Sequence, residues 1–489
     1  MATPIPANAA SLTAESAAAA TQGRIVGRGP GAQVRAITSD SRAVRPGCAF
    51  VALRGERFDG HDYLEAAIHG GAALLVVERG RAPSAASAGV IEVDDTLKAW
   101  GDLARAHLRA WRRGGREGEP RRVIAVTGSA GKTTTKELCA ALLGAVAPVH
   151  ATRGNLNNRV GVPAVVFAVE EQHRFAVFEV GMSLPGEIAA LASILEPDVA
   201  VLTNVGLAHA GGVGGTRADV AREKGALFAA LSADAVAIAC GDDDAAVGQL
   251  ARTRATQKRT FGLGEAADVR LVERVPAGLA GANVRIRRSD GTSVGAWLPM
   301  VGEAAAVDLT GALAAAEAVA GPLSDVAIAS GLGSLAAFPA GRMQVRQLAD
   351  GTTLIDDTYN ANPQSMRAAL RALGEVSRGR RAVVVIGEMR ELGGAARQEH
   401  ASLGTAIAEA GARLAVSCGG LADLAVAEAE RSGVAASYAT DAEGAARLAV
   451  AMCLRGDVIL VKASRSVGAE GVVVALVRAH EDAAAAGPS

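Results

Sequence analysis

Apolar positions along this chain fall into two alternating patterns. Short continuous runs such as GCAFVAL (47–53), AALLVVE (72–78), VIAVTG (123–128), FAVFEVG (175–181) and VAVLTNV (199–205) have the length and β-branched content of buried strands. Between them lie stretches with apolar residues three and four apart, including YLEAAIHGG (63–71), KTTTKELCAALLGAV (132–146), GEIAALASIL (186–195) and VAREKGALFAAL (220–231), which predict helices. Strand and helix alternating at this spacing predict an α/β fold whose parallel sheets are covered on both faces. The terminal EDAAAAGPS predicts a frayed end.

The pattern breaks twice. WRRGGREGEPRR (111–122), charged and rich in glycine, predicts a linker. The second change falls near FPAGRMQV (338–345), after which the alternation restarts with TTLIDD, SMRAALRAL, RAVVVIGEM, ARLAVSC and DVILVKAS. A chain of 489 residues exceeds a single core, and these breaks divide it into 1–115, 116–338 and 339–489.

Composition narrows the function classes. Lysine plus arginine (50) balances aspartate plus glutamate (51), so no global field recruits nucleic acid or an anionic membrane. No run of eighteen apolar residues predicts a membrane span, and MATPIPANAASLTAESAAAA lacks the basic region and apolar core of a signal peptide. Cys48, Cys139, Cys240, Cys418 and Cys453 are scattered without a C-x-x-C pair, which fits reduced, buried thiols and a cytoplasmic location.

Chemistry concentrates in VIAVTGSAGKTTTKE (123–137), a strand that runs into a glycine-containing turn and then a helix. Gly128 and Gly131 permit backbone shapes in which successive N–H groups point at one anion, across Thr127, Ser129, Ala130 and Thr134. The helix beginning near Lys132 adds its positive end. Lys132 supplies a cation for β- and γ-phosphates, and Thr133 a hydroxyl for Mg²⁺. The loop is shorter than G-x-x-x-x-G-K-[ST], because Val126 stands where the first glycine would fall. A nucleoside triphosphate is the ligand this turn predicts.

Four segments follow whose residues, taken singly, have plain structural readings. ATRGNLNNRVGVP (151–163) offers Asn155, Asn157 and Asn158, which would otherwise be turn residues. Glu179 ends an apolar strand near the phosphate loop, where a Mg²⁺ ligand is needed. His209, in NVGLAHAGGVGG (204–215), sits at the same expected sheet edge. Lys224 lies on the helix that follows.

Together these motifs resemble the Mur ligases, ATP-dependent amide-forming enzymes of peptidoglycan precursor synthesis, over all three segments. The resemblance implies a small N-terminal α/β domain binding UDP substrate (1–115), a central P-loop ATPase-like parallel-sheet domain (116–338) and a C-terminal Rossmann-like α/β domain (339–489). It implies ATP on Gly128 to Thr134, magnesium on Thr133, Glu179 and His209, and a carbamylated Lys224 able to ligate a second Mg²⁺. IDDTYNANPQSM (355–366), with Asn360 and Asn362, VIGEMRELG (385–393) and VKASRSVGAEGVV (461–473) resemble the signatures of the member that joins D-alanyl-D-alanine to a UDP-N-acetylmuramoyl-tripeptide. The same resemblance turns Arg342 toward the ATP phosphates and Ser464 and Arg465 toward the dipeptide. It also assigns Ser41 and Arg42, in ITSDSRAVRPGCAFVALRGERFDGHDYLEAA (37–67), to the UDP-substrate, with Asn155 and Asn158 among the substrate contacts. One departure stands out: Ala304 and Asp308 occupy the positions of a family histidine and of an asparagine that helps to recognise adenine. The expected chemistry attacks ATP with the tripeptide carboxylate, forms an acyl phosphate, and resolves it with the dipeptide amine in a monomeric enzyme whose domains close.

Overall fold

The computed structural model describes residues 3–27, 33–55, 58–84, 87–116, 118–335 and 341–485. Three larger sheets organise the chain. The first has five strands in the order Arg24–Gly27, Gly89–Val93, Leu74–Glu78, Ala49–Val51, Ile37–Thr38, parallel except at the Arg24–Gly27 edge. The predicted YLEAAIHGG helix is there, as a short 3₁₀ turn leading into Leu64–His69.

The central sheet has nine strands, and its middle positions the site. Arg122–Thr127 lies between Val199–Leu202 and Phe175–Glu179, all three parallel. Their register pairs Glu179 with Val126 and Leu202 with Thr127, so the strands end level with one another. The phosphate turn, Glu179 and the loop carrying His209 therefore leave the sheet along one carboxyl edge, where open α/β sheets hold their ligands. Behind the turn, helix Lys132–Gly144 packs Leu138, Cys139 and Leu142 into one core with Leu309, Ala312, Leu313 and Ala316 of helix Glu303–Ala320.

The central sheet departs from the all-parallel expectation. Val269–Pro276, Ala282–Arg287 and Ser293–Leu298 run antiparallel to one another at its edge. The reason is in the side chains: Ala282, Val284 and Ile286 face inward while Asn283 and Arg285 face solvent, the alternation of a sheet covered on one face only.

The C-terminal sheet orders Gln344–Gln347, Thr353–Asp357, Val458–Lys462, Ala382–Ile386, Ala412–Cys418 and Ala435–Ala439, with only the first strand antiparallel. Helix Pro363–Val376 follows the second strand in this order.

The predicted linker 111–122 is in part a helix end. Helix Thr96–Arg113 keeps Trp111 buried, with its indole N–H donating to the His173 carbonyl at 3.1 Å. Charge misled there because the guanidiniums have protein partners: Arg112 reaches Asp198 at 3.1 Å and Arg121 the Trp111 carbonyl at 2.5 Å. The second boundary, at 338/339, lies outside the described residues. The tail continues helix Glu470–Ala485 almost to its end, where a frayed segment was predicted; its last four residues lie outside the described residues.

All five cysteines are free and buried. Burial raises their thiols wherever a shift is resolved, to about 12 at Cys240, Cys418 and Cys453, which leaves them inert. Among the described residues, no helix is long and apolar enough to cross a membrane.

Candidate active site

A cavity of about 910 Å³ opens between the carboxyl edge of the central sheet and the C-terminal domain. Its floor is the phosphate turn. Gly128 adopts φ +155°, and a Cβ there would stand 1.8 Å from Thr203 Oγ1. Gly131, at φ +79°, begins helix Lys132–Gly144, and its Cβ would fall 2.4 Å from Asp308 Oδ1. Both positions demand glycine, one for space and both for backbone freedom.

The turn is clamped before any ligand arrives. Asn204 accepts from the Ala130 N–H at 2.9 Å and donates to the Ala130 carbonyl at 3.0 Å. Ser129 Oγ accepts from the Gly206 N–H at 2.8 Å. Thr127 is buried and donates to the Val180 carbonyl at 2.8 Å, closing the strand rather than facing the cavity.

Two lysines converge on one acceptor. Lys132 and Lys224 donate to the Gly128 carbonyl at 2.8 and 3.0 Å. Burial pushes Lys132 below the usual lysine range; Glu179 opposes that shift and Arg342 adds to it. Lys224 lies well below the range, through burial first and the neighbouring Lys132 second. A lysine depressed in this way holds a neutral, nucleophilic amine readily.

Glu179 is almost wholly buried. It accepts from Thr133 Oγ1 at 2.6 Å and from Asn157 Nδ2 at 2.8 Å, while its own N–H donates to Thr152 Oγ1 at 3.0 Å. Burial alone would raise its carboxyl; Lys132, Arg342 and these two donors outweigh burial, so it stays below the usual range and ionised. His209 lines the same cavity and pairs through Nδ1 with Glu391 of the C-terminal domain. Its imidazole is held below the ordinary value by burial and by Lys132, against the pull of Glu391.

The C-terminal wall is built differently. Arg342 stacks over Tyr359 with Cζ 3.9 Å from the ring centroid, and Arg465 approaches the same ring at 5.0 Å. Asn362 does two jobs: its Oδ1 accepts from Ser365 N at 3.0 Å as the cap of helix Pro363–Val376, and its Nδ2 donates to the Ser129 carbonyl at 3.1 Å. Asn360 lines the cavity, and its carbonyl accepts from Lys462 Nζ at 2.9 Å. Asp308 lies in the cavity beside Gly131, its carboxyl raised well above the usual range by burial.

Most of the predicted site residues meet here. Ser129 to Thr134, Asn155, Asn158, Glu179, His209, Arg342, Asn360, Asn362 and Arg465 line the cavity, and Lys224 supports its floor. Thr127, Ser41, Arg42 and Ser464 do not face it. Ser41 and Arg42 form a 3₁₀ turn on the N-terminal domain, where Arg42 grips Asp40 at 2.8 and 2.7 Å and is otherwise exposed. Ser464 is buried and accepts from the Arg390 N–H at 3.0 Å, holding a loop. Asn158, which does line the cavity, also accepts from the Gly161 N–H at 2.8 Å just ahead of helix Gly161–Phe167.

The sequence reading assigned no role to Asn204, to Asn157 as the partner of Glu179, or to Lys462 with Asp357, 2.5 Å apart in the buried wall. Asn204 carried a usable signal, since it ends a strand beside the phosphate strand. The others depend on contacts between distant segments.

The donor set fits a hard divalent cation. A hydroxyl and a carboxylate meet at Thr133 and Glu179, with an imidazole in the same cavity. No cluster of three or more His, Cys, Asp or Glu side chains suited to a metal occurs among the described residues, so the oxygen donors are mixed in type.

Family models match in chain order: "Mur ligase family, catalytic domain" over residues 33–108, "Mur ligase middle domain" over 126–316, and "Mur ligase, glutamate ligase domain" over 341–465. The UDP-N-acetylmuramoyl-tripeptide–D-alanyl-D-alanine ligase of Escherichia coli is 36% identical over 384 residues, 78% of this chain and 81% of that protein. Its Bacillus subtilis counterpart is 34% identical, covering 76% of this chain and 78% of that protein. The crystal structure of MurF from Acinetobacter baumannii superposes with a TM-score of 0.84 at 33% identity, over 96% of this chain and 99% of that one. MurF ligase from Thermotoga maritima, solved in complex with ADP, gives 0.77 at 28% identity, over 91% of this chain and 98% of that one. With fold, cavity and these relatives in agreement across three domains, the chain belongs to the Mur ligase family.

Proposed function

We propose that this chain joins D-alanyl-D-alanine to the terminal carboxylate of a UDP-N-acetylmuramoyl-tripeptide at the expense of ATP, giving the UDP-linked pentapeptide, ADP and phosphate. The observation that carries the reading is one cavity shared by the phosphate turn and the YNANP loop, bridged by Asn362 on the Ser129 carbonyl. Relatives matched over 81% and 78% of their own length, bearing that activity in their names, support it.

The first step brings two anions together, so charge neutralisation dominates the demand on the site. Lys132 is positioned at the start of its helix to meet the β- and γ-phosphates, and Arg342 to reach the transferred phosphoryl group from the opposite wall. Thr133, Glu179 and His209 are the residues that would hold magnesium, which supplies electrophilic activation of the phosphates when bound. Lys224, already inclined to the neutral amine, is suited to carbamylation; the product is an anion able to hold a second cation.

The tripeptide carboxylate attacks the γ-phosphorus, and ADP leaves. The dipeptide amine then attacks the acyl carbon, a C–N bond forms, and the C–O bond to phosphate breaks. Arg465 faces the dipeptide carboxylate, and Ser41 and Arg42 the uridine diphosphate end. Docking of the C-terminal domain excludes water from the acyl phosphate. The enzyme acts as a monomer in the cytoplasm, where its nucleotide substrates are found.

Phosphate release tests the assignment. Release with UDP-N-acetylmuramoyl-tripeptide and ATP should rise sharply on adding D-alanyl-D-alanine; release indifferent to the dipeptide removes the reading.

A further inference from the structure

The loop 388–393 of the C-terminal domain carries a carboxylate into the central domain's cavity. Glu391 pairs with His209 Nδ1, and its backbone carbonyl accepts from the Gly211 N–H at 3.2 Å. The approach is close enough to involve the backbone: a Cβ on Gly211 would lie 3.4 Å from Gly393 N. Both contacting residues hold left-handed backbones without being glycine, His209 at φ +63° and Glu391 at φ +64°. Such conformations are unfavourable for residues with a Cβ and persist where surrounding contacts enforce them.

The loop is firmly seated. Ser464 Oγ accepts from the Arg390 N–H at 3.0 Å, the Ser464 N–H donates to the Glu388 carbonyl at 3.1 Å, and His400 Nε2 accepts from the Met389 N–H at 2.8 Å. Other carboxylates around the cavity have different work. Glu179 serves Thr133 and Asn157, Glu187 accepts from the Ser183 and Leu184 N–H groups at 2.6 and 2.9 Å, and Asp357 pairs with Lys462.

A carboxylate only accepts, so the imidazole must donate from Nδ1. That assigns the proton and leaves Nε2 as the nitrogen with a lone pair. Imidazoles that ligate metals commonly have this arrangement, their second nitrogen donating to a carboxylate. Here the carboxylate comes from a different domain, 182 residues away in sequence.

We infer that Glu391 is the positioning residue for His209, fixing its orientation and its tautomer, so that the imidazole is ready to ligate a cation only when the C-terminal domain is docked. The inference rests on His209 being a metal ligand, as proposed above. Cation affinity and domain docking are then linked: each favours the other by the same factor.

The test uses the full chain labelled with ¹⁵N-histidine, and Mn²⁺ as the probe, in the presence of a non-hydrolysable ATP analogue. Glu391→Ala should move His209 from the Nδ1–H form toward the Nε2–H form and weaken Mn²⁺ binding about 10–100-fold, the scale found for outer partners of ligating histidines. Glu391→Gln keeps an acceptor for Nδ1–H, so it should retain the wild-type ring signals and bind Mn²⁺ within about threefold of wild type. A purely structural loss would not be restored this way. An unchanged tautomer in Glu391→Ala overturns the inference. A changed tautomer with unchanged Mn²⁺ affinity overturns the link to the cation. Wild-type His209 signals unaffected by Mn²⁺ would instead remove the metal reading itself, while dipeptide-dependent phosphate release is judged separately.

Discussion

The two walls of the cavity hold their charges in opposite ways. On the central wall Lys224 and Glu179 are buried and Lys132 half-buried, all three hydrogen-bonded or paired with fixed partners and shifted from their ordinary proton affinities. On the C-terminal wall Arg342 and Arg465 lean on an aromatic ring, and Asn362 contributes a neutral amide. The first wall holds its groups in fixed hydrogen bonds. The second stacks its guanidinium groups on Tyr359, on a separate domain from the phosphate turn. Under the proposed function the contrast would divide the labour, with phosphate binding on the first wall and completion of the site for transfer on the second.

Substitutions can break or sharpen that division, and their effects should fall in order. Lys132→Ala removes the cation at the reacting phosphates; phosphate release should fall by at least about 10³-fold, on the scale of losing a strong electrostatic stabiliser. Lys224→Ala should cost roughly 10²-fold, and short-chain carboxylates such as acetate or propionate should restore part of that turnover in the same assay, by standing in for the carbamate. Arg342→Ala belongs to the C-terminal wall, so kcat should fall about tenfold or more while the affinity for ADP, read by calorimetry, changes little. Equal losses in ADP affinity for Lys132→Ala and Arg342→Ala would erase the distinction.

The smallest effect concerns stability. Burial raises the Asp308 carboxyl well above the ordinary range. Unfolding lets it ionise, so the unfolded chain binds fewer protons there than the folded one above the ordinary pKa, and stability falls as pH rises. Asp308→Asn removes that penalty. Its Tm should exceed wild type at pH 8 by about 2–4 °C, the effect of roughly 1 kcal/mol in a domain of this size, and the gap should shrink toward pH 5.

Local chemistry was legible in the sequence, and partnership across the chain was not. Gly128, Gly131 and Lys132 could be read because strand, turn and helix are neighbours, and the structure keeps that order. Arg342 and Asn362 could be placed only by resemblance, since Asn362 meets Ser129 across 233 residues. Ser464 was turned toward the dipeptide by resemblance alone, and its hydroxyl instead holds the backbone of Arg390. The antiparallel edge was visible in the one-sided alternation of 282–287, yet the strong parallel signal elsewhere masked it. The linker was drawn too wide at its start, where 111–113 end a helix, because arginine-rich stretches read as solvated unless their carbonyl and carboxylate partners are known.

The Gly128 carbonyl, shared by Lys132 and Lys224, has a consequence for which molecules enter first. One dipole serves two amines, and burial beside Lys132 drives Lys224 toward its neutral form, so Lys132 is left as the floor's cation and faces any small polyanion. Inorganic pyrophosphate or tripolyphosphate should therefore compete with nucleotide out of proportion to the few contacts they make, and high salt should blunt that advantage.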